Sequence, residues 1–209
     1  MRISLGDFVD YVLASGSPKL TKARTMLKRG EYHPGRDFWK PLRDGIVAFH
    51  TEGRKDTKEL ERILAEVYER KRGRYRVSIA GYRKLLRNAA WEWLTPPRGE
   101  MALGGSHRVM VNPEIGLKVG GKSYAIKLYF KNEPLSARKV GVVLVLMHDK
   151  LGQATRSWEE RRFGVLDVPN GRLFAQDPDL SLRPLLKAEG LGLAAMLDEL
   201  EQLAKEPAA

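Results

Sequence analysis

The hydrophobic positions of the first 94 residues recur every three or four residues, which is the spacing of amphipathic helices. Five helices are expected there, at residues 5–13, 17–29 and 37–49, from Asp56 onward, and from Ser78 onward. Ser78 is a suitable helix cap, because its hydroxyl can accept a hydrogen bond from a backbone amide in the first turn. The inner face predicted for this fifth helix carries Ile79, Tyr82, Leu86, Ala89 and Trp93.

Farther along the chain, hydrophobic and polar positions alternate, as they do in strands. Six strands are expected, at residues 108–111, 115–119, 123–130, 140–147, 163–168 and 172–175. Gly120-Gly121 and Asn170-Gly171 separate two pairs of these strands, and both dipeptides favour the positive φ values of tight hairpin turns. The pattern therefore predicts a mainly antiparallel sheet built from hairpins.

The end of the chain returns to helical spacing, which predicts a helix over residues 184–205. The fold class is therefore α+β, with a helical N-terminal half followed by a mainly antiparallel β-sheet packed with a C-terminal helix. Proline and glycine are dense between the two halves, as in a connector. We expect a helical domain at 1–95, a linker at 95–106 and a sheet domain at 107–209, with the alternative that both parts pack as one unit.

The charge of the chain is unevenly distributed. Its 37 Lys+Arg against 26 Asp+Glu give a formal net charge of +11, with +15 over residues 1–174 and −4 over residues 175–209. A basic surface of this kind favours a polyanionic partner. The absence of cysteine excludes disulfide scaffolds, cysteine-ligated zinc or iron–sulfur sites and cysteine nucleophiles.

The densest positive segment lies between residues 70 and 87, which hold eight basic residues and no acid. We call these eight residues the basic cluster: Arg70, Lys71, Arg72, Arg74, Arg76, Arg83, Lys84 and Arg87. Residues 70–76 are expected to form a loop before the fifth helix, with Tyr75 placed to stack on a base or a sugar. Guanidinium groups can donate two hydrogen bonds to one phosphate, so the cluster fits a nucleic-acid backbone. The alternative is a solvated surface paired in part with neighbouring glutamates.

Sequence signatures of catalysis are missing. The chain has no G-x-x-x-x-G-K-[ST], G-x-G-x-x-G or G-x-S-x-G motif, and its four histidines are scattered. The favoured interpretation is a nucleic-acid-binding protein without catalysis of its own and without a cofactor. Phosphate contacts carry no sequence information, so DNA and RNA are not distinguished.

One short segment suggests an enzymatic alternative. Asn112-Pro113-Glu114 begins a strand, and Ala125-Ile126-Lys127 follows on the returning strand. The arrangement resembles the PD-(D/E)xK nuclease superfamily, which implies that Glu114 would be a ligand of Mg²⁺ and that Lys127 would help to position the attacking water. Ala125 stands where the resemblance requires a second acid, so a catalytic site would need another carboxylate, from Asp149, Asp167 or Glu160. A degenerate relative without activity is a further alternative.

No segment has the pattern of a signal peptide or of a membrane-spanning helix, since the longest apolar stretch is residues 140–147. We therefore expect a cytoplasmic protein without a membrane partner. A third functional alternative is a protein–protein adaptor whose acidic C-terminal helix contacts a basic partner.

Overall fold

The chain forms an α+β fold with two sheets. A computed structural model describes residues 1–30, 33, 35, 37–87, 90–131 and 133–205. Within these residues the helices are α1 (Leu5–Val12), α2 (Ser17–Arg29), α3 (Lys40–Thr51), α4 (Ile63–Glu66), α5 (Glu69–Leu86), α6 (Ala137–Leu151) and α7 (Arg183–Leu203). Two short 3₁₀ helices, Thr57–Arg62 and Leu180–Leu182, precede α4 and α7.

The eight strands of the described chain divide between a three-stranded and a five-stranded sheet. They are β1 (Arg2–Ser4), β2 (Glu92–Leu94), β3 (Gly99–Gly104), β4 (His107–Val111), β5 (Ile115–Val119), β6 (Lys122–Tyr129), β7 (Arg162–Asp167) and β8 (Arg172–Phe174). The small sheet has the order β1-β4-β3 and the large sheet the order β2-β5-β6-β7-β8. Only β1/β4 and β6/β7 are parallel among these pairs, so the mainly antiparallel prediction is confirmed.

Both predicted hairpins are present. Gly120 and Gly121 connect β5 to β6 with φ values of 55° and 79°, and Gly171 turns the chain between β7 and β8 with a φ of 63°. Glycine adopts such values without a steric cost, which fixes the register of each hairpin.

The strand predicted at residues 140–147 is wrong, because this segment belongs to α6. Ser136 caps the helix by accepting a hydrogen bond from the Lys139 amide at 3.2 Å. All residues from Val142 to Met147 are buried, so the helix is covered on every side and lacks a polar face that would reveal its period. A parallel β6/β7 pair also requires a crossover connection, which α6 provides.

The fifth predicted helix begins earlier and ends earlier than expected. It starts at Glu69, so the predicted loop at 70–76 forms its first two turns and Ser78 is a buried residue inside the helix. The helix ends at Leu86, and Trp93 lies in β2. Ala89, placed on the inner face by the sequence pattern, falls outside the described residues.

The hydrophobic interior consists of two cores on opposite faces of the large sheet. The first core joins α1, α2, α6 and α7 to the small sheet and to Ala125 and Val165 of the large sheet. The second core joins α3 and α5 to the other face, where Ile126 and Leu128 lie. Each core draws residues from both sides of segment 95–106, and this segment contains β3.

Candidate nucleic-acid interface

The basic cluster is carried by α5, whose inner side is anchored in the second core by Tyr75, Ile79 and Tyr82. These residues stand at spacings of four and three, so they form one buried side of the helix. The rest of the circumference is left for the charged residues. The cluster therefore occupies a rigid, packed element rather than the loop that the sequence suggested.

Four arginines of the cluster follow one side of α5. Arg72, Arg76, Arg83 and Arg87 are separated by four, seven and four residues, which places them within one stripe along the helix. We call these four residues the arginine stripe. Of them, Arg83 donates to Glu61 and, at 3.2 Å, to Thr57 Oγ1. The other three are exposed and have no ion-pair partner within the described residues.

The other edge of α5 faces Phe38. Lys71 Nζ donates to the Phe38 carbonyl at 3.1 Å and lies 5.1 Å from the centre of the Phe38 ring. The Arg74 guanidinium lies 5.7 Å from the same ring centre, so both cations have cation–π contacts there. Lys84 is exposed, and Arg70 lies 5.9 Å from the ring centre of Tyr68.

Tyr75 is not available for stacking on a nucleotide, which corrects the prediction for this residue. Its side chain is fully buried, its hydroxyl donates to the Phe38 carbonyl at 2.5 Å, and its ring stacks on Trp39 at 5.5 Å. Burial raises the pKa of this hydroxyl above its ordinary value. A helix predicted to begin before residue 75 would have placed Tyr75 on the same buried side as Ile79 and Tyr82, because the three residues are spaced by four and three. The exposed aromatic residue of this region is Tyr68, at 78% exposure.

A large cleft of about 1210 Å³ lies beside α3, between the small sheet and the end of β6. Its lining includes Phe38, so the cleft adjoins the edge of α5 that carries Lys71 and Arg74. Glu114 and Lys127, the pair named from the sequence, also line it. Sequence reasoning missed the cleft itself, because its walls come from segments that are distant along the chain.

The structure brings Glu114 and Lys127 together, and the two side chains form an ion pair. Lys127 Nζ donates to Glu114 Oε1 and also lies 3.3 Å from the Asn112 carbonyl. Glu114 Oε2 accepts the Leu128 amide at 2.7 Å, so both carboxylate oxygens have protein partners. The pair is largely buried, because both faces of the large sheet are covered.

These residues do not fit a metal centre. Ala125 is buried against the first core, and no group of three His, Cys, Asp or Glu side chains in the described ranges is placed to hold an ion. Asp149, one acid that could have completed the site, is bound instead to Arg183 at 2.6 Å, outside the cleft. We derive no metal-dependent step from this geometry.

The acidic C-terminal helix packs inward. Leu186, Leu193 and Leu197 of α7 belong to the first core, and Glu189 pairs with Lys19 of α2 at 2.5 Å. None of the described helices combines the length and the apolar character that a membrane crossing requires.

Comparison with family models, curated proteins and solved structures gives no match for this chain.

Proposed function

We propose that this protein binds nucleic acid, with the basic cluster of α5 gripping the phosphate backbone. The observation that carries the proposal is the exposed part of the arginine stripe: Arg72, Arg76 and Arg87 stand exposed on one side of a packed helix and lack acidic partners within the described residues. The positive charges of an exposed row of unpaired guanidinium groups repel each other. Phosphate groups that bind to the row neutralise these charges and release the counterions that had surrounded them.

The length of the stripe suits a polyanion. From Arg72 to Arg87 the helix rises by about 22 Å, at about 1.5 Å per residue. The phosphates of one strand follow each other about every 3.4 Å along the axis of a duplex, so the stripe equals the axial length of about six of them. Arg87 also extends past the last helical residue, where a cation is favoured by the helix dipole. Tyr68 at the opposite end supplies the exposed ring that Tyr75 cannot.

The proposal is tested by the salt dependence of binding. Labelled duplex DNA and RNA are titrated with the wild type and with Arg72→Ala/Arg76→Ala/Arg87→Ala. The three residues are exposed, so the variant is expected to keep its fold. Each lost phosphate contact should reduce the slope of log Kd against log salt by about one unit, or about three in total.

The matched control is Arg24→Ala/Lys28→Ala/Arg156→Ala, which removes the same charge from exposed positions far from α5 in the chain. We expect the control to keep the wild-type slope within about one unit. Equal slopes for the two triple variants would assign the attraction to net charge rather than to α5. Absence of binding to either nucleic acid at low salt would reject the function itself.

The favoured form of the proposal is a non-catalytic binder, and metal-dependent cleavage stays an alternative prediction. The structure places Glu114 beside Lys127, and both carboxylate oxygens of Glu114 already have protein partners. Incubation of plasmid DNA and of RNA with Mg²⁺ or Mn²⁺ distinguishes the two. Cleavage that disappears in Lys127→Ala, with unfolding monitored in parallel, would support the nuclease, and intact substrates with the wild type would reject it.

A protein partner bound through α7 and a cytoplasmic location also stay predictions. The inward packing of the apolar stripe of α7 accounts for that stripe without a partner.

A further inference from the structure

Among the described residues that line the cleft, each acidic side chain is paired with a basic one. Asp7 pairs with Arg29 at 2.9 Å and Asp37 with Arg43 at 2.8 Å. Asp44 pairs with Lys40, and Glu114 with Lys127. Two further arginines, Arg2 and Arg98, line the cleft, and their side chains make no hydrogen bond or ion pair within the described residues.

Arg2 and Arg98 are brought to one wall of the cleft by the small sheet. Arg2 is on β1, which pairs with β4, and Arg98 immediately precedes β3 on the other side of β4. Both side chains are exposed. On this wall, two guanidinium groups without an acidic partner among the described residues face a ligand in the cleft.

The lining also contains aromatic rings. Trp93 of β2 lines the cleft and is stacked on His50, with ring centres 6.0 Å apart and planes inclined by 16°. Phe38 lines the cleft at the edge next to α5. A positively charged groove with aromatic side chains is the general solution for binding a single strand, since phosphates contact the cations while bases contact the rings.

We propose that the cleft receives a single-stranded segment of the nucleic acid, with phosphates bound by Arg2 and Arg98 and a base placed against Trp93. The inference rests on the proposed function, and it names the form of nucleic acid that the cleft binds. At about 1210 Å³ the cleft exceeds the 300–1,000 Å³ of a pocket for one drug-sized ligand. It is too small to enclose a duplex, in which the major groove alone is about 12 Å wide.

The basic cluster and the cleft are continuous at Phe38. Lys71 and Arg74 of α5 contact one side of this residue, and the cleft begins at the residue itself. A strand held by the edge of α5 would therefore lie next to the cleft at Phe38.

The test compares a short labelled oligothymidylate with a blunt duplex of the same length. The variant is Arg2→Ala/Arg98→Ala, and the matched control is Arg24→Ala/Arg156→Ala. We expect the cleft variant to weaken single-strand binding by roughly tenfold or more and duplex binding by less than about threefold. The control should change both by less than about threefold.

A second measurement reports on the base contact. Oligothymidylate should quench the tryptophan fluorescence of the wild type, and Trp93→Phe should remove most of that quenching. The control Trp158→Phe changes a ring that packs on the first core outside the cleft, so it should keep the quenching.

The outcomes separate the two proposals. Duplex binding without single-strand binding would leave the function of α5 standing and overturn the inference about the cleft. Equal affinities of the cleft variant and its control for the single strand, or unchanged quenching in Trp93→Phe, would also overturn it. If the wild type binds neither the single strand nor the duplex, both the proposed function and the inference about the cleft are rejected.

Discussion

His50 is held uncharged at the boundary between the second core and the cleft. Its Nε2 atom lies 2.5 Å from the Tyr82 hydroxyl, and its ring stacks on Trp93. Burial lowers the pKa of His50 from 6.5 to about 4. Burial also raises the pKa of Tyr82 far above its ordinary value, so the tyrosine stays protonated and its hydroxyl can donate a hydrogen bond to the neutral imidazole.

This burial predicts a pH-dependent stability. Between about pH 6.5 and pH 4 the unfolded chain binds a proton at residue 50 that the folded chain does not, so the free energy of unfolding falls as the pH is lowered. From neutral pH to about pH 5 the loss from this residue should be about 1–2 kcal/mol. Urea unfolding of the wild type and of His50→Gln at both pH values measures it. We expect a smaller pH dependence in His50→Gln, and an equal dependence would contradict the assigned pKa.

Single residues of the candidate site differ in how far the sequence could predict them. Glu114 and Lys127 are close because a tight hairpin joins their strands, and such local geometry can be derived from a glycine pair. Arg2 and Arg98 belong to no motif, since they share a wall only through the pairing of β1 and β3 with β4. The prediction for Tyr75 is wrong because it places the helix cap at Ser78, whereas the helix begins at Glu69.

At the scale of the elements, two glycines of α5 have opposite roles. A Cβ atom on Gly73 would meet no atom within 4 Å, whereas a Cβ atom on Gly81 would lie 2.1 Å from the Val168 carbonyl oxygen. Gly81 therefore permits α5 to approach the turn between β7 and β8 at backbone distance. Gly73 only adds conformational freedom to the unfolded chain.

The two positions predict opposite effects of alanine in one helix. Gly73→Ala should raise the free energy of unfolding by about 0.5–1 kcal/mol, because alanine is the better helix former. Gly81→Ala should lower it by about 1–3 kcal/mol, because the backbone of the turn must move away. Denaturant unfolding of both variants, with nucleic-acid binding as a second readout, checks the pair. A stabilised Gly81→Ala would contradict the close packing of α5 on this turn.

The class of most elements follows from the spacing of hydrophobic residues, and α6 shows where this source of information ends. A segment that is buried all round has no polar positions to mark a period of 2 or 3.6, and its valines favour a strand. Because β6 and β7 are parallel, the segment that connects them must cross over the sheet, and here it does so as a helix. That pairing is a property of the whole sheet and cannot be seen in the segment itself. The prolines and glycines of segment 95–106 likewise predict a linker, whereas part of this segment forms β3, which pairs with β4.

At the scale of the molecule, α7 is a structural part of the first core. Leu186, Leu193 and Leu197 are buried there, whereas Leu191 is 55% exposed. Removal of the whole helix would uncover the first core, so truncation cannot test a role of α7 in binding a partner. Point substitutions separate its inner and outer sides.

Leu193→Ala should lower the free energy of unfolding by about 2–5 kcal/mol, since it leaves a cavity in a packed interior. Leu191→Ala, in the same helix and with the same change in side chain, should stay within about 0.5 kcal/mol of the wild type. Thermal or denaturant unfolding measures both. Similar losses for the two variants would show that α7 is packed differently from the arrangement described.

The parallel pairing of β1 with β4 has a consequence for how the chain is made. Arg2 lies beside Arg108, and the first residue donates a hydrogen bond to Ser106, so neighbours in space are about a hundred residues apart in the chain. During synthesis β1 cannot pair until β4 has left the ribosome, and the apolar side of α1 cannot pack on α6 until α6 has followed. These contacts join residues that are far apart in the chain, and contacts of this range slow folding.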